Sequence, residues 1–377
     1  MFRWWNRFFS LIVLILFLPA GIMTVQAQTA DHIVIYANNA GQIIALNPQT
    51  GLKTILLTIE SPLERAYGFY VSPDGIHLGV FLRLIDQNNA TNPLQFRLYV
   101  VRIADAALLL DQDLLPPGYV YPSPENPGDP QYELARAQGE VVWSRDGRYL
   151  AFISAQAGNA DVFIFEPATQ IVTQLNNAPG TAAFITWNPS GSLLVFCDLN
   201  SFGTGSGYDI NTYYAVSVPE GETRPLPEPV SVSGFSAVGW LDDTTLIYSP
   251  LDFAFFGAAG LYTLDMNSLV STERLPPRVA MNVPVFDDLS KSIAFVVPEI
   301  GEVSLVPGAY LWLSDEAAPT LLQSGTFYAV NLVRPGQFQF EDPSGSYLAG
   351  ANGSELSPLP ANDFGAFVSP GMDAVAL

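Results

Sequence analysis

One cysteine and two histidines are all that this chain of 377 residues contains of the most versatile ligating side chains. Cys197 has no second cysteine to pair with, so an intrachain disulfide is excluded. It lies in the apolar run Leu193-Leu-Val-Phe-Cys197 and is expected as a buried, inert thiol. His32 and His77 are far apart and neither has a second ligand at a metal spacing, which leaves almost no material for a histidine-based zinc site. His77 falls in a turn and is expected at the surface. Basic charge is scarce as well. Acidic residues outnumber basic ones 36 to 15, for a net charge of −21 and a pI near 4.2. Such a surface repels nucleic acid and anionic lipid, and it either keeps the protein dispersed or attracts a basic partner. Charged residues make up only 14% and apolar residues 49%, the balance of a folded core and not of an acidic tail. No segment keeps a helical period. After the first residues no apolar run is long enough to cross a bilayer; the best, 253–261, follows directly on Asp252.

The N-terminus reads as a secretory signal peptide over residues 1–27. Arg3 and Arg7 supply the positive start, Phe8 to Leu18 the apolar stretch, and Val25-Gln-Ala27 a small-residue cleavage site. Asn6 and Arg7 before that stretch, and Pro19 and Gly21 after it, keep it short for a membrane span. The mature chain, 28–377, is expected as one extracytoplasmic domain, secreted, periplasmic or cell-surface associated, and monomeric.

What the chain has in abundance is a phrase. Trp143-Ser-Arg-Asp-Gly-Arg-Tyr-Leu-Ala-Phe152 returns as Trp187-Asn-Pro-Ser-Gly-Ser-Leu-Leu-Val-Phe196. Weaker copies stand at Val71-Ser-Pro-Asp-Gly75, Trp240-Leu-Asp-Asp-Thr244, Phe286-Asp-Asp-Leu-Ser290, Asp342-Pro-Ser-Gly345 and Val368-Ser-Pro-Gly371. A phrase recurring at this spacing is one supersecondary unit copied around an architecture. Its clearest copy predicts four antiparallel strands, at Glu140–Trp143, Tyr149–Ile153, Asp161–Phe165 and Ile171–Leu175, separated by turn residues. A lone sheet this small cannot bury both faces, whereas radially stacked sheets cover one another and leave only short edges. Trp143, Trp187 and Trp240 hold equivalent places and are expected to fill the wedges between sheets.

An aromatic followed by Ser-Pro-Asp-Gly and an apolar strand resembles the TolB-like β-propeller repeat, a relative of WD-type blades. The resemblance extends over most of residues 32–377 and is strongest at 139–176 and 182–228. It implies an all-β propeller of six or seven four-stranded blades around a central channel. No counterpart of the α/β domain that precedes the propeller of TolB is expected, since the repeats begin almost at the cleavage site. The first unit, His32 to Leu57, has three strands, and 364–370 supplies a turn phrase with little after it; the C-terminal strand is therefore expected to close the first blade. Seven phrases favour seven blades, while the short remainder from Pro343 to Asp363 favours six.

Two insertions interrupt the spacing. The longer, between Asp111 and Glu133, combines prolines with Tyr119, Tyr121 and Tyr132, rigid amphipathic contact area suited to recognition. The shorter runs from Asp198 to Asn211; Asp198, Asn200 and Asp209 are oxygen donors on a Gly-rich loop and could take calcium, although the closing bidentate Glu of a helix-flanked calcium loop is missing. No other cofactor is expected. Gly203-Thr-Gly-Ser-Gly207 places Ser206 one position off a nucleophile elbow. The leading function is a non-catalytic scaffold that presents its loops to a protein, peptide or glycan. The alternatives are a propeller glycoside hydrolase with a carboxylate pair in the channel, and a structural module of an envelope assembly.

Overall fold

The computed structural model describes residues 33–60, 64–86, 89–116, 141–157, 159–176, 180–199, 211–227, 236–252, 257–282, 284–299, 305–351, 353, 356–358, 367–368 and 374–376. The leader 1–27, the three tyrosines of the long insertion, Asn200, Ser206 and Asp209 lie outside them. Among the described residues every regular element is a strand, and the strands form seven sheets in chain order. The protein is a seven-bladed β-propeller.

Blade three shows how the sequence builds a blade. Val141–Trp143 is innermost, followed outward by Leu150–Ser154, Asp161–Glu166 and Ile171–Gln174. Leu150–Ser154 is buried along its whole length because blades two and four cover its two faces, which is why it reads as a continuous apolar run and not as an alternation. The outer Ile171–Gln174 is mostly exposed, Ile171 included. Apolar clusters join successive blades: one and two, two through four, four and five, five and six, six and seven.

The repeated phrase is a self-capped turn between the innermost and second strands. The Ser144 hydroxyl donates to the Asp146 carboxylate at 2.6 Å and accepts the Tyr149 N–H at 2.9 Å, while Asp146 accepts the Arg148 N–H at 3.0 Å. Ser72 and Asp74 repeat the pattern in blade two. Gly147, at φ 71°, completes the turn and also lets it nest: a Cβ there would stand 2.8 Å from the Asp74 carboxylate of the preceding blade. The turns of neighbouring blades thus pack into one another at one end of the ring.

One expectation needs correction, and another holds with an added strand. Asp342-Pro-Ser-Gly345 does not open a blade. The seventh blade begins earlier, at Ala329–Arg334, and Asp342 caps the turn between its second and third strands, accepting the N–H groups of Ser344 and Gly345 at 2.7 and 3.0 Å. Its opening turn is only Pro335-Gly336, too short to carry the phrase. The C-terminus does close the first blade, but with two short strands, so that this sheet has five. Ala374–Ala376 pairs parallel to Ile33–Ala37, and Phe367–Val368 pairs antiparallel to Ala374–Ala376 and touches the innermost strand of blade seven. The physical reason is direction: the added hairpin brings Phe367–Val368 antiparallel to Ile33–Ala37, the relation every other innermost strand has to its second strand.

Candidate functional site

The C-terminal ends of the innermost strands, with the turns that follow, surround an axial cavity of about 940 Å³ lined from blades two to seven. Its wall is mostly apolar and is built by the aromatics of the phrase. The Trp143 indole N–H donates to the Tyr70 carbonyl of blade two at 2.8 Å, and that of Trp187 to the Val142 carbonyl of blade three at 3.0 Å. Each indole therefore fastens its blade to the preceding one, and a second aromatic backs it: His77 stacks on Trp143 at 5.8 Å and Tyr149 on Trp187 at 6.1 Å between ring centroids. Each such bond contributes about 1 kcal/mol net.

Trp240 stands at the same place in blade five, yet its buried indole nitrogen has no hydrogen-bond partner. The equivalent acceptor would be the Thr186 carbonyl, and the strand bearing it is the one that bulges, its register shifting between Ala183 and Thr186 with Phe184 at φ 54°. Leaving such a donor unmet costs about 1–3 kcal/mol. Blade six has Phe286 instead, which needs no acceptor and lies on Gly239: a Cβ on that glycine would come within 2.5–2.6 Å of the Phe286 side chain.

The polar groups of the wall divide into committed and available ones. Asp287 is buried and accepts the Gly336 N–H of blade seven at 2.6 Å, the Leu289 N–H at 3.1 Å and the Ser290 hydroxyl. Asn188 accepts the Leu193 N–H at 2.9 Å and donates to the Asp243 carbonyl of blade five at 3.2 Å. Arg145 and Asp288, by contrast, reach from blade three to blade six and meet at 3.0 Å, each about one-third exposed. Burial raises the Asp288 carboxyl above the ordinary carboxylate range; the Arg145 cation opposes this shift, and neighbouring Asp287 adds to it.

Asp198, the one sequence-derived site candidate among the described residues, does not line this cavity. Asp198 is buried in the second strand of blade four, paired with Ala182 near the start of the innermost strand, whereas Trp187 at that strand's end lines the cavity. Among the described residues no group of three His, Cys, Asp or Glu could hold a metal ion. The strands ending at Asp113 and Leu199, from which the two insertions depart, both finish at the end of their sheets away from the cavity. The root of the long insertion is clamped. Buried Leu115 exchanges hydrogen bonds with the Gln95 side chain at 3.0 and 3.3 Å, and the Leu114 carbonyl accepts the Ala155 N–H of blade three at 2.8 Å. Cys197 is buried, as expected. His77 is not a surface residue but half-buried, because its ring is the stacking partner of Trp143. Sequence reasoning passed over Arg145 and Asp288; the place held by Pro73, Pro189 and Pro335 in other blades is charged in theirs, as it is at Asp242 in blade five.

No family model matches the chain, and no curated protein matches it in sequence. Solved structures do. Dipeptidyl peptidase 4 of Porphyromonas gingivalis is similar over 88% of this chain and 52% of its own, with a TM-score of 0.59 and 14% identity. Acylaminoacyl peptidase of Pyrococcus horikoshii is similar over 79% and 46%, with a TM-score of 0.52 and 12% identity. TolB from Acinetobacter baumannii is also similar, over 76% and 62%, at a TM-score of 0.38 and 12% identity. The chain spans about half the length of the two peptidases, and at these identities the likeness to them shows the fold alone.

Proposed function

We propose that the protein is an exported, monomeric binding scaffold whose rigid ring presents recognition surfaces to a protein, peptide or glycan outside the cytoplasm, without catalysing a reaction and without a cofactor. The axial cavity carries this reading. Its mostly apolar wall is held by hydrogen bonds between blades, and a single facing pair, Arg145 and Asp288, stands at its mouth. A preformed apolar pocket with few convergent polar groups suits capture of a ligand at little ordering cost. The two carboxylates of the wall, Asp287 and Asp288, are chain neighbours, one spent on the turn and the other on Arg145, an arrangement that favours binding over acid–base work on a glycosidic bond. The tyrosine-bearing insertion, whose preceding strand finishes at the end of its sheet away from the cavity, is proposed as a second contact surface.

Crosslinked capture from the envelope fraction of the source cell tests this. The intact protein is compared with Thr186→Trp, which narrows the cavity, and with a version whose 114–136 segment is a short Gly/Ser turn. A partner lost only with Thr186→Trp assigns recognition to the axis, and one lost only with the replaced segment assigns it to the insertion. Turnover of glycan substrates by the intact protein overturns the non-catalytic reading.

A further inference from the structure

The binding-scaffold reading leaves open what the axial cavity takes, and the inference rests on that reading. We propose that it binds a polypeptide segment through a lysine or arginine side chain, which displaces Arg145 from Asp288.

The Arg145–Asp288 pair is the first reason. Blades three and six share none of the apolar clusters that join neighbouring blades, so the pair fastens no joint; it occupies the mouth. Arg145 engages Asp288 through Nη1 alone, although a guanidinium can offer a carboxylate a two-pronged fork. Burial keeps the Asp288 carboxyl raised even with Arg145 in place, so the internal cation compensates it only in part. An incoming cation with better geometry gains what Arg145 leaves unused.

Charge is the second. Among the side chains described in the turns around the mouth, Asp74, Asp146, Asp242, Asp243, Asp287 and Asp288 outnumber the cations Arg145, Arg148 and Lys291. The surrounding field favours entry of a positive group and disfavours a carboxylate.

The third is Trp240. Trp240 is among the residues that line the cavity and is 3% exposed; its indole N–H has no partner and is itself buried, so a ligand meets it only when the indole turns toward the cavity. A backbone carbonyl is the acceptor such a donor needs. A bare metal ion would supply a cation but no acceptor and would make no use of an apolar wall. A basic peptide supplies all three, and Arg145 then acts as a built-in competitor that occupies Asp288 until the peptide arrives.

The test uses the full chain and three labelled octapeptides of alternating alanine with lysine, glutamate or glutamine, read by fluorescence anisotropy at low salt. The lysine peptide is expected to bind and the glutamate peptide not to bind. Arg145→Gln, by removing the competitor, should tighten the lysine peptide about threefold to tenfold, whereas Asp288→Asn should abolish its binding. Trp240→Phe should weaken it without unfolding the protein, as checked by the melting temperature, and this arm stands if Arg145→Gln folds poorly. Preference for the glutamate peptide, lost in Arg145→Gln, overturns the proposal, as does equal binding of all three peptides. Absence of any binding overturns it too, while the scaffold reading, judged by envelope capture, remains standing.

Discussion

Two joints of the ring place the same residue in the same position with different results. Between blades three and four, Trp187 donates its indole N–H to the Val142 carbonyl and carries Tyr149 on its ring. Between blades four and five, Trp240 is as deeply packed but its N–H is unmet. The tryptophans are alike; the strands they lean on are not. Val142 lies in a regular strand, and Thr186 directly follows a bulge. A repeat therefore specifies the residue at a joint, while the neighbouring strand decides whether its hydrogen bond forms. The joint between blades five and six solves the problem a third way, by dispensing with the donor and laying Phe286 on Gly239.

The comparison can be broken most forcefully at that third joint. Gly239→Val puts branched carbon where the Phe286 side chain already lies, and overpacking of this kind costs about 1–3 kcal/mol or more. Denaturant unfolding should show a clear loss of stability, and Gly239→Val paired with Phe286→Ala should regain part of it. If Gly239→Val is as stable as the parent, the close approach is not what holds blade six.

A smaller effect sharpens the contrast between the tryptophans themselves. Trp187→Phe orphans the Val142 carbonyl and should cost about 1–2 kcal/mol, whereas Trp240→Phe removes a donor that is already unmet and should cost distinctly less. Equal losses in chemical denaturation would mean that the two indoles are equivalent.

The smallest effect concerns the stacking partners, His77 on Trp143 and Tyr149 on Trp187. Burial lowers the pKa of His77, an effect that Asp74 opposes and Arg102 reinforces. Because the folded protein resists protonating this ring more than the unfolded chain does, stability is lost as pH falls through the ordinary histidine range, near 6.5, toward the lower folded value. His77→Tyr, which copies the Tyr149 arrangement, should flatten that part of the pH–stability curve. An unchanged curve would assign the acid sensitivity to other groups.

Much of the architecture was legible in the sequence, because the phrase encodes its own turn chemistry: a hydroxyl to cap, a carboxylate to accept, a glycine to nest. The seventh blade was less so. Its opening turn is Pro335-Gly336, while an intact phrase sits at Asp342, in a turn where the same capping chemistry serves another strand pair. The axial site was hidden for a different reason. Arg145 and Asp288 are distant along the chain, and their meeting depends on how many blades separate them around the ring. Charge in place of proline at their positions was a partial signal, shared by Asp242 of blade five. Nor could the bulge beneath Trp240 be read from Phe184-Ile-Thr186, which looks like ordinary strand.

Ring closure also bears on how the molecule is made. The pairing of Ala374–Ala376 with Ile33–Ala37 joins the first described strand to the last, the longest closure among the described strands. Each blade forms from neighbouring hairpins, but the seam must wait until residues 374–376 have been synthesised. Until then the polypeptide is an open arc with both terminal blades uncovered, and the axis has no wall on that side. A closed axis is thus acquired after the blades themselves, and it depends on a clasp of only a few residues.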